Sequence, residues 1–180
     1  MKIKTEPYLK QLEKWPETGQ HILANYDDET IIVYQAYRPS IGNFALENGY
    51  FGGDFKYTRM SWIKTNFLWM MYRSGWGTKP DQEITLAIRL KRTFFDSLLT
   101  QTVDSSPSVR LQWDPDHDPL GNKVERRAIQ LGLRNEILES YGKTEIIEII
   151  NMTDFVAEQR QNIKYFNKLI TPREIVYNSD

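Results

Sequence analysis

The stretch RMSWIKTNFLWMMYRSGW, residues 59–76, decides how this chain folds. It holds three of the five tryptophans and three of the five methionines, together with the cations Arg59, Lys64 and Arg73. Large aromatic side chains are stabilised by burial, whereas cations need water or an anion. We therefore expect a buried segment that forms the floor of an anion-binding cleft, or alternatively a core helix with a charged rim.

Within this stretch, residues 67–72 are apolar on every side of a helix, which predicts a helix in the protein interior. Ser61 or Thr65 is expected to cap its N-terminus, because short hydroxyl side chains accept hydrogen bonds from the first free amides. The glycine-rich segment 75–77 is expected to end it near Arg73.

On either side of this helix, hydrophobic periodicity indicates alternating short elements. Strands are predicted over 20–26, 30–37, 83–90, 109–113 and 145–150, helices over 5–15, 40–48, 92–100, 133–141 and 153–168, an extended piece over 173–177, and a short strand or helix lead-in over 127–131. The irregular order lacks the rhythm of a doubly wound fold. We therefore expect an α+β fold, with a mixed or antiparallel sheet and packed helices, in a single domain over residues 1–180.

Composition limits the classes of protein that remain. The chain is 40% hydrophobic, and its longest apolar run covers residues 67–72, far below the roughly 20 residues of a membrane span. The N-terminus lacks the apolar stretch of a signal peptide. Without cysteine, disulfides and thiolate metal sites are excluded. These features predict a soluble, cytoplasmic protein with no membrane partner.

The net charge of −1 conceals a basic middle third. Residues 51–92 carry eight Lys and Arg against three Asp and Glu, whereas both flanking segments are acidic. Such a local excess favours a small anionic ligand over a long nucleic-acid track, which usually requires a basic domain. The alternative is that these cations pair with the flanking acids on a solvated face.

The segment Asp114–Asp118 has the carboxylate spacing of a calcium loop, with Glu125 at the twelfth position. Pro119 stands where that loop needs glycine, and the flanks read as strands. An acidic hairpin turn is the favoured interpretation, and weak cation binding stays open. We expect no dedicated metal site.

Two further patterns are interpreted as structural. Ser61 and Lys64 fit the Ser-x-x-Lys pattern of serine acyl-enzymes, but the partner motifs are missing, and a helix-capping Ser61 is preferred. His21 and His117 are the only histidines, so a histidine-based triad is disfavoured, although His21 remains a candidate pocket donor.

Arg38 follows the best predicted strand and precedes a predicted helix. Guanidinium groups bind phosphate oxygens, and helix-start amides add partial positive charge, so this position suits an anion. The alternative is an ion pair between Arg38 and a carboxylate.

Several segments together resemble one protein family. They are VYQAYRP (33–39), RMSWIK (59–64), FLWMMYRSGW (67–76), VRLQWDP (109–115) and AIQLGLR (128–134). Across nearly the whole chain they resemble the domain of unknown function 4291 family of bacterial proteins. The family name implies no activity.

The order of elements is also similar to that of ADP-ribosyltransferases. Those enzymes run from a strand with Arg or His, through a helix and glycine turn, to a strand with Ser or Thr, and end with a catalytic Glu. In this order Gln35 or Arg38 would stand first, Ser61 second, and Glu148 or Glu174 last. The usual His is missing, and no Glu-x-Glu occurs.

This resemblance implies an enzyme that binds NAD or a related nucleotide. A carboxylate, Glu148 or Glu174, would stabilise the positive charge that develops at the ribose. The expected anion-binding wall comprises Arg38, Arg59, Ser61, Lys64 and Arg73. The expected stacking residues are Tyr37, Trp62 and Trp69. The alternative is a non-catalytic module that binds nucleic acid or a protein through the basic, aromatic middle third.

Overall fold

The fold is built on a seven-stranded sheet with helices against both faces. The computed structural model describes residues 3–104 and 106–178. In chain order the strands are β1 (Thr5–Pro7), β2 (Gly19–Gln20), β3 (Leu23–Ala24), β4 (Thr30–Tyr37), β5 (Ser61–Lys64), β6 (Ile84–Lys91), β7 (Val109–His117), β8 (Lys123–Leu133), β9 (Ile146–Asn151), β10 (Ile170–Pro172) and β11 (Ile175–Val176). The helices are α1 (Tyr8–Leu12), α2 (Pro39–Asn48), α3 (Phe67–Ser74), α4 (Arg92–Val103), α5 (Asn135–Lys143) and α6 (Thr153–Arg160).

The main sheet has the order β2-β8-β5-β4-β6-β9. The short β2 and β5 pair with different parts of the same edge of the long β8, and β7 pairs along the opposite edge of β8. All pairings of this sheet are antiparallel except the short parallel contact of β2 with β8. Two small antiparallel pairs, β1 with β10 and β11 with β3, tie the C-terminal segment to the N-terminal one. This mixed sheet with packed helices confirms the predicted α+β class.

Two hydrophobic clusters occupy the two faces of the sheet. Helices α2, α4 and α5 pack on the face that carries Val33 and Ile63. Helices α1, α3 and α6 pack on the face that carries Ile32 and Tyr34. Because both faces of β4 are covered, its residues from Thr30 to Gln35 are all buried, which explains the unbroken apolar run in the sequence.

Helix α3 confirms the interior helix predicted from the tryptophan-rich stretch, but its cap differs. Asn66 caps it, with Oδ1 accepting a hydrogen bond from Trp69 N at 2.7 Å, and Gly75 ends it in the left-handed region at φ 58°. The predicted cap Ser61 lies on β5 instead. The strand places Ser61 and Lys64 three residues apart and therefore on opposite faces, unlike the helical Ser-x-x-Lys pair.

Several other predictions were wrong. The predicted helix over 5–15 is β1 followed by the short α1, and the predicted strand over 20–26 is divided into β2 and β3. Strand β7 continues through Asp114 and Asp116 to His117, and the turn falls at residues 118–122, so the acidic segment is not a hairpin turn. Helix α6 ends at Arg160 rather than near residue 168. The chain turns back there because Leu169 is fully buried and its carbonyl accepts a hydrogen bond from Tyr8 N, which places β10 beside β1.

Candidate functional site: a cationic cleft beside two diverging strands

The candidate site lies where β4 and β5 separate. Strand β4 pairs with β6 along eight residue pairs, but the described pairing of β4 with β5 is the single pair Tyr34 and Lys64. Beyond this pair, hydrogen bonds from the Gln35 side chain take the place of backbone hydrogen bonds between the two strands. Its Nε2 donates to Trp62 O at 3.1 Å and to Ser61 Oγ at 2.9 Å. A crevice therefore opens beside the centre of the sheet.

Gln35 belongs to a buried polar network that fixes one wall of this crevice. Tyr141 OH donates to Gln35 Oε1 at 2.6 Å, and Tyr37 OH lies 3.1 Å from Ser61 Oγ. Burial raises the pKa of both the Tyr37 and the Tyr141 phenols, so both stay protonated at neutral pH. Ser61 contacts no histidine or carboxylate in this network. It is positioned as a hydrogen-bonding group and not activated as a nucleophile.

Two adjoining clefts flank the crevice and share Tyr37, Arg59, Met60 and Ser61. The first has a volume of about 440 Å³, and its other lining residues are Arg38, Ile41, Asp54, Phe55, Lys56 and Asp81. The second has a volume of about 510 Å³, and its other lining residues are Gln35, Ala36, Trp62, Lys64, Met70, Arg73, Gln82, Gln112 and Gln130. Both volumes lie within the usual range for small-molecule sites, roughly 300–1,000 Å³.

The two clefts differ in charge. The first mixes both signs, and Arg38 Nη2 lies 3.3 Å from Asp54 Oδ2. The second is lined by the cations Arg59, Lys64 and Arg73, and no described carboxylate lines it. None of these three side chains forms a hydrogen bond or ion pair with another described residue. The second cleft thus presents three cations that no described carboxylate contacts directly.

Lys64 is the most unusual of these cations, because it is only 5% exposed. Burial, and secondly the nearby Arg73, lower the pKa of the Lys64 ammonium from 10.5 to about 8, and Asp114 opposes the shift. The sheet places Gln130 directly opposite Lys64, with Gln112 next in the same row. The floor of the second cleft is therefore a row of one amine and two amides across three strands.

The Trp62 indole packs close to Gly132 of β8, the partner of Trp62 in the sheet register. A Cβ at position 132 would come within 3.0 Å of the indole and 2.6 Å of Met60 Sδ, so only glycine leaves room for this arrangement. The packing holds Trp62 at the cleft wall with its side chain half-buried.

The structure brings together most of the residues predicted for the site. Those lining the second cleft are Gln35, Tyr37, Arg59, Ser61, Trp62, Lys64 and Arg73. Arg38 lines the first cleft and forms the ion pair that the sequence left open as its alternative. Trp69 lines neither cleft. It stacks on His117 at a ring separation of 5.2 Å, so its role is packing.

Neither of the predicted catalytic carboxylates lines the clefts. Glu148 lies on β9, with its Oε2 3.2 Å from Arg89 Nε. Glu174 is buried, and its Oε1 accepts a hydrogen bond from Phe67 N at 2.7 Å, at the start of α3. Burial raises the pKa of Glu174 well above its ordinary value. Its position assigns it to supporting α3, the helix that carries Arg73.

The acidic segment of β7 contains a buried ion pair. Arg126 donates to Asp116 Oδ2 through both Nε and Nη2 at 2.7 Å, and its Nη1 donates to Pro16 O. Within residues 3–104 and 106–178, no group of three His, Asp or Glu residues is placed to hold a metal ion. His21 lies outside both clefts, with its Nε2 2.9 Å from Thr18 O.

Sequence reasoning missed the cleft amides other than Gln35, and it missed the carboxylates of the first cleft. Gln112 shares a face of β7 with Arg110, an alternation that was visible in the sequence, but its partner Gln130 follows only from the register of β7 and β8. Asp54 and Asp81 stand in loops whose path the sequence does not specify. Asp81 adopts a left-handed backbone at φ 64°, a conformation that asparagine and aspartate tolerate better than most residues.

No helix in the described ranges is long and apolar enough to cross a membrane. No curated protein and no solved structure shows a significant match to this chain. A family model described as a domain of unknown function, DUF4291, matches residues 21–177. This range contains all the cleft residues and most of the chain, and the protein therefore belongs to the DUF4291 family.

Proposed function

We propose that this protein binds a phosphate-bearing ligand of nucleotide size in the two adjoining clefts. The observation that carries the proposal is the second cleft, where three cations meet without a described carboxylate to neutralise them. A buried lysine without a partner is costly, because burial removes its hydration. A bound phosphate would supply the missing counter-charge, and arginines would add bidentate hydrogen bonds.

The lining of the clefts suggests how such a ligand would lie. Phosphate groups would contact Arg59, Lys64 and Arg73 in the second cleft. The first cleft is lined by the aromatic side chains of Tyr37 and Phe55 together with carboxylates, which suit a base and the hydroxyl groups of a sugar. Because Arg59 lines both clefts, one ligand would span them.

NAD is one candidate ligand, in keeping with the resemblance of element order to ADP-ribosyltransferases. Cleavage of NAD requires a carboxylate near the ribose, where positive charge develops. The positions of the carboxylates favour Asp54 or Asp81, which line the first cleft, over Glu148 or Glu174, which do not. If the protein is a transferase, the wild type should release nicotinamide from NAD. Asp81→Asn or Asp54→Asn should abolish this release.

Ligand-induced thermal stabilisation tests the binding proposal. We would compare pyrophosphate, ADP, ATP, ADP-ribose and NAD with adenosine, which lacks phosphate. A ligand at about 100 times its dissociation constant adds roughly 2.7 kcal/mol of stability. We expect stabilisation by the phosphate-bearing compounds and at least tenfold weaker binding in Arg73→Gln. The matched control is Arg127→Gln, an exposed arginine outside both clefts. Equal binding by both variants, or no stabilisation by any phosphate compound, would contradict the proposal.

Single-stranded nucleic acid is the second candidate ligand, and one observation favours it. Arg110 is exposed on β7, and both Arg110 and Trp62 pair with Gly132 of β8. Arg110 therefore continues the row of the sheet that begins with Trp62 at the second cleft, so that a cation follows an aromatic ring there. Nucleic-acid affinity falls steeply with salt, whereas a pocketed nucleotide should lose less. Binding of a short oligonucleotide with a steep salt slope, reduced by Arg110→Gln, would favour this alternative.

A further inference from the structure

We propose that Lys64 is a nucleophilic amine, which forms an imine with an aldehyde or ketone group of an anionic ligand held in the second cleft. This inference rests on the proposed anion site and adds a chemistry to it. Lys64 lines the second cleft together with the cations Arg59 and Arg73, which would hold the anionic part of such a ligand.

The Lys64 amine also lacks a contacting partner among the described side chains. Most lysines are exposed or paired with a carboxylate, and either situation keeps the amine protonated. Lys64 is buried and forms no hydrogen bond or ion pair with a described residue. The pKa near 8 that follows from burial and from Arg73 leaves roughly a tenth of the amine neutral at pH 7. Desolvation beside another cation is a known route to an activated lysine.

Two amides lie beside the Lys64 amine. Gln130 stands opposite Lys64, and its Nε2 donates to Gln112 Oε1 at 3.2 Å and to Asp114 Oδ2 at 2.6 Å. Gln112 Nε2 makes no hydrogen bond to a described residue and can donate to a ligand carbonyl oxygen, whereas Gln130 Oε1 can accept from the hydroxyl group formed from it. Ser61, the other candidate nucleophile, lacks a contacting base, so the amine is the stronger nucleophile of the site.

The step balances without an oxidant or reductant. The Nζ lone pair attacks the carbonyl carbon, and a proton passes from nitrogen to oxygen to give a carbinolamine. Loss of water then forms the C=N bond. The positive charge of a protonated imine replaces that of the ammonium, so the charge of the site is conserved.

Reductive trapping with pyridoxal 5′-phosphate tests the inference, because this probe carries both a phosphate and an aldehyde. The full chain would be incubated with less than one equivalent of probe, reduced with cyanoborohydride and mapped by peptide mass spectrometry. We expect labelling of Lys64 at least tenfold above that of exposed lysines outside both clefts, such as Lys10 and Lys164, and suppression of this labelling by excess pyrophosphate. Labelling of Lys64 at or below the exposed lysines would overturn the inference.

The variant Lys64→Arg separates the inference from the proposed anion site. It keeps a cation but cannot form an imine, so we expect it to lose the preferential label while retaining part of the stabilisation by pyrophosphate. A wild type that is stabilised by pyrophosphate but not preferentially trapped would overturn the imine alone. A wild type that no phosphate compound stabilises would overturn the anion site, whatever the trapping shows. Thermal unfolding of Lys64→Arg establishes that the variant is folded.

Discussion

The amide of Gln35 on β4 donates to the hydroxyl of Ser61 on β5, 2.9 Å away, where the backbones of the two strands no longer pair. Together with the contact of Tyr37 OH with the same hydroxyl, this side chain connects β4 to β5 beside the cleft. The same amide accepts from Tyr141 OH, so the crevice is connected to helix α5 on the face of the sheet that carries Val33.

Gln35→Ala should destabilise the protein more than an ordinary polar substitution. It removes the bonds to Ser61 and Trp62 and leaves the fully buried Tyr141 hydroxyl without its partner. A buried group left unsatisfied costs about 1–3 kcal/mol, and we expect a loss in the upper part of that range. Chemical denaturation measures it. Gln112→Ala, at an exposed cleft amide, should change stability by less than about 0.5 kcal/mol, and equal losses would contradict the bridging role.

Lys64→Met should make the protein more stable and the cleft less able to bind anions. Methionine has a similar length and no charge to desolvate, so the free energy of unfolding at pH 7 should rise by roughly 1–3 kcal/mol. Stabilisation by pyrophosphate should fall at the same time. The control Lys10→Met, at an exposed position of α1, should leave both properties within error. A destabilised Lys64→Met that still binds pyrophosphate would contradict the site.

The stability of the wild type should rise with pH above about 8. The folded-state pKa of Lys64 is about 8 and the ordinary value is 10.5, so between these values the unfolded chain binds more protons than the folded one. The free energy of unfolding then increases with pH, by an amount on the order of 3 kcal/mol over the whole range between the two pKa values. Denaturation of the wild type and of Lys64→Met between pH 7 and 10.5 isolates this contribution as their difference. A difference that does not change with pH would contradict the shift.

Glu174→Gln should show that Glu174 supports α3 and is not catalytic. A glutamine Oε1 can still accept the hydrogen bond from Phe67 N. Because burial raises the folded-state pKa of Glu174, the folded protein holds its proton above pH 4.5, and the wild type loses stability as pH rises through that raised pKa. Stability of Glu174→Gln should depend less on pH, and its pyrophosphate binding should match the wild type. Loss of binding without loss of folding would assign Glu174 to the site.

Arg126→Met should be among the most destabilising single changes. It leaves Asp116 buried and unpaired, and breaking one partner of a buried ion pair costs about 3–5 kcal/mol. The double variant Arg126→Met with Asp116→Leu should recover much of that loss. The exposed pair of Lys14 and Glu6 is the control, and Lys14→Met should cost below about 1 kcal/mol. If Arg126→Met and the double variant lose similar amounts of stability, the loss does not come from the unpaired charge of Asp116.

The sequence predicted the elements whose patterns are strong and local. Strand β4 was placed at residues 30–37 because this segment is rich in β-branched and aromatic residues, and the structure confirms these bounds. Helix α2 follows from Pro39 at its start and Gly49 at its end. The cap of α3 was misassigned because serine, threonine and asparagine cap equally well, and only pairing with β8 shows that Ser61 belongs to a strand.

The sequence by itself determined that cations and large aromatic residues would share one region, because both occur in one continuous stretch. Tertiary structure alone decided which cations face the same cleft and which carboxylates stand near them. Glu174 and Arg73 illustrate the difference, since one is buried beneath the start of α3 and the other lines the cleft near its end. Local periodicity sets which face of an element is buried, whereas the register between distant strands sets which side chains meet.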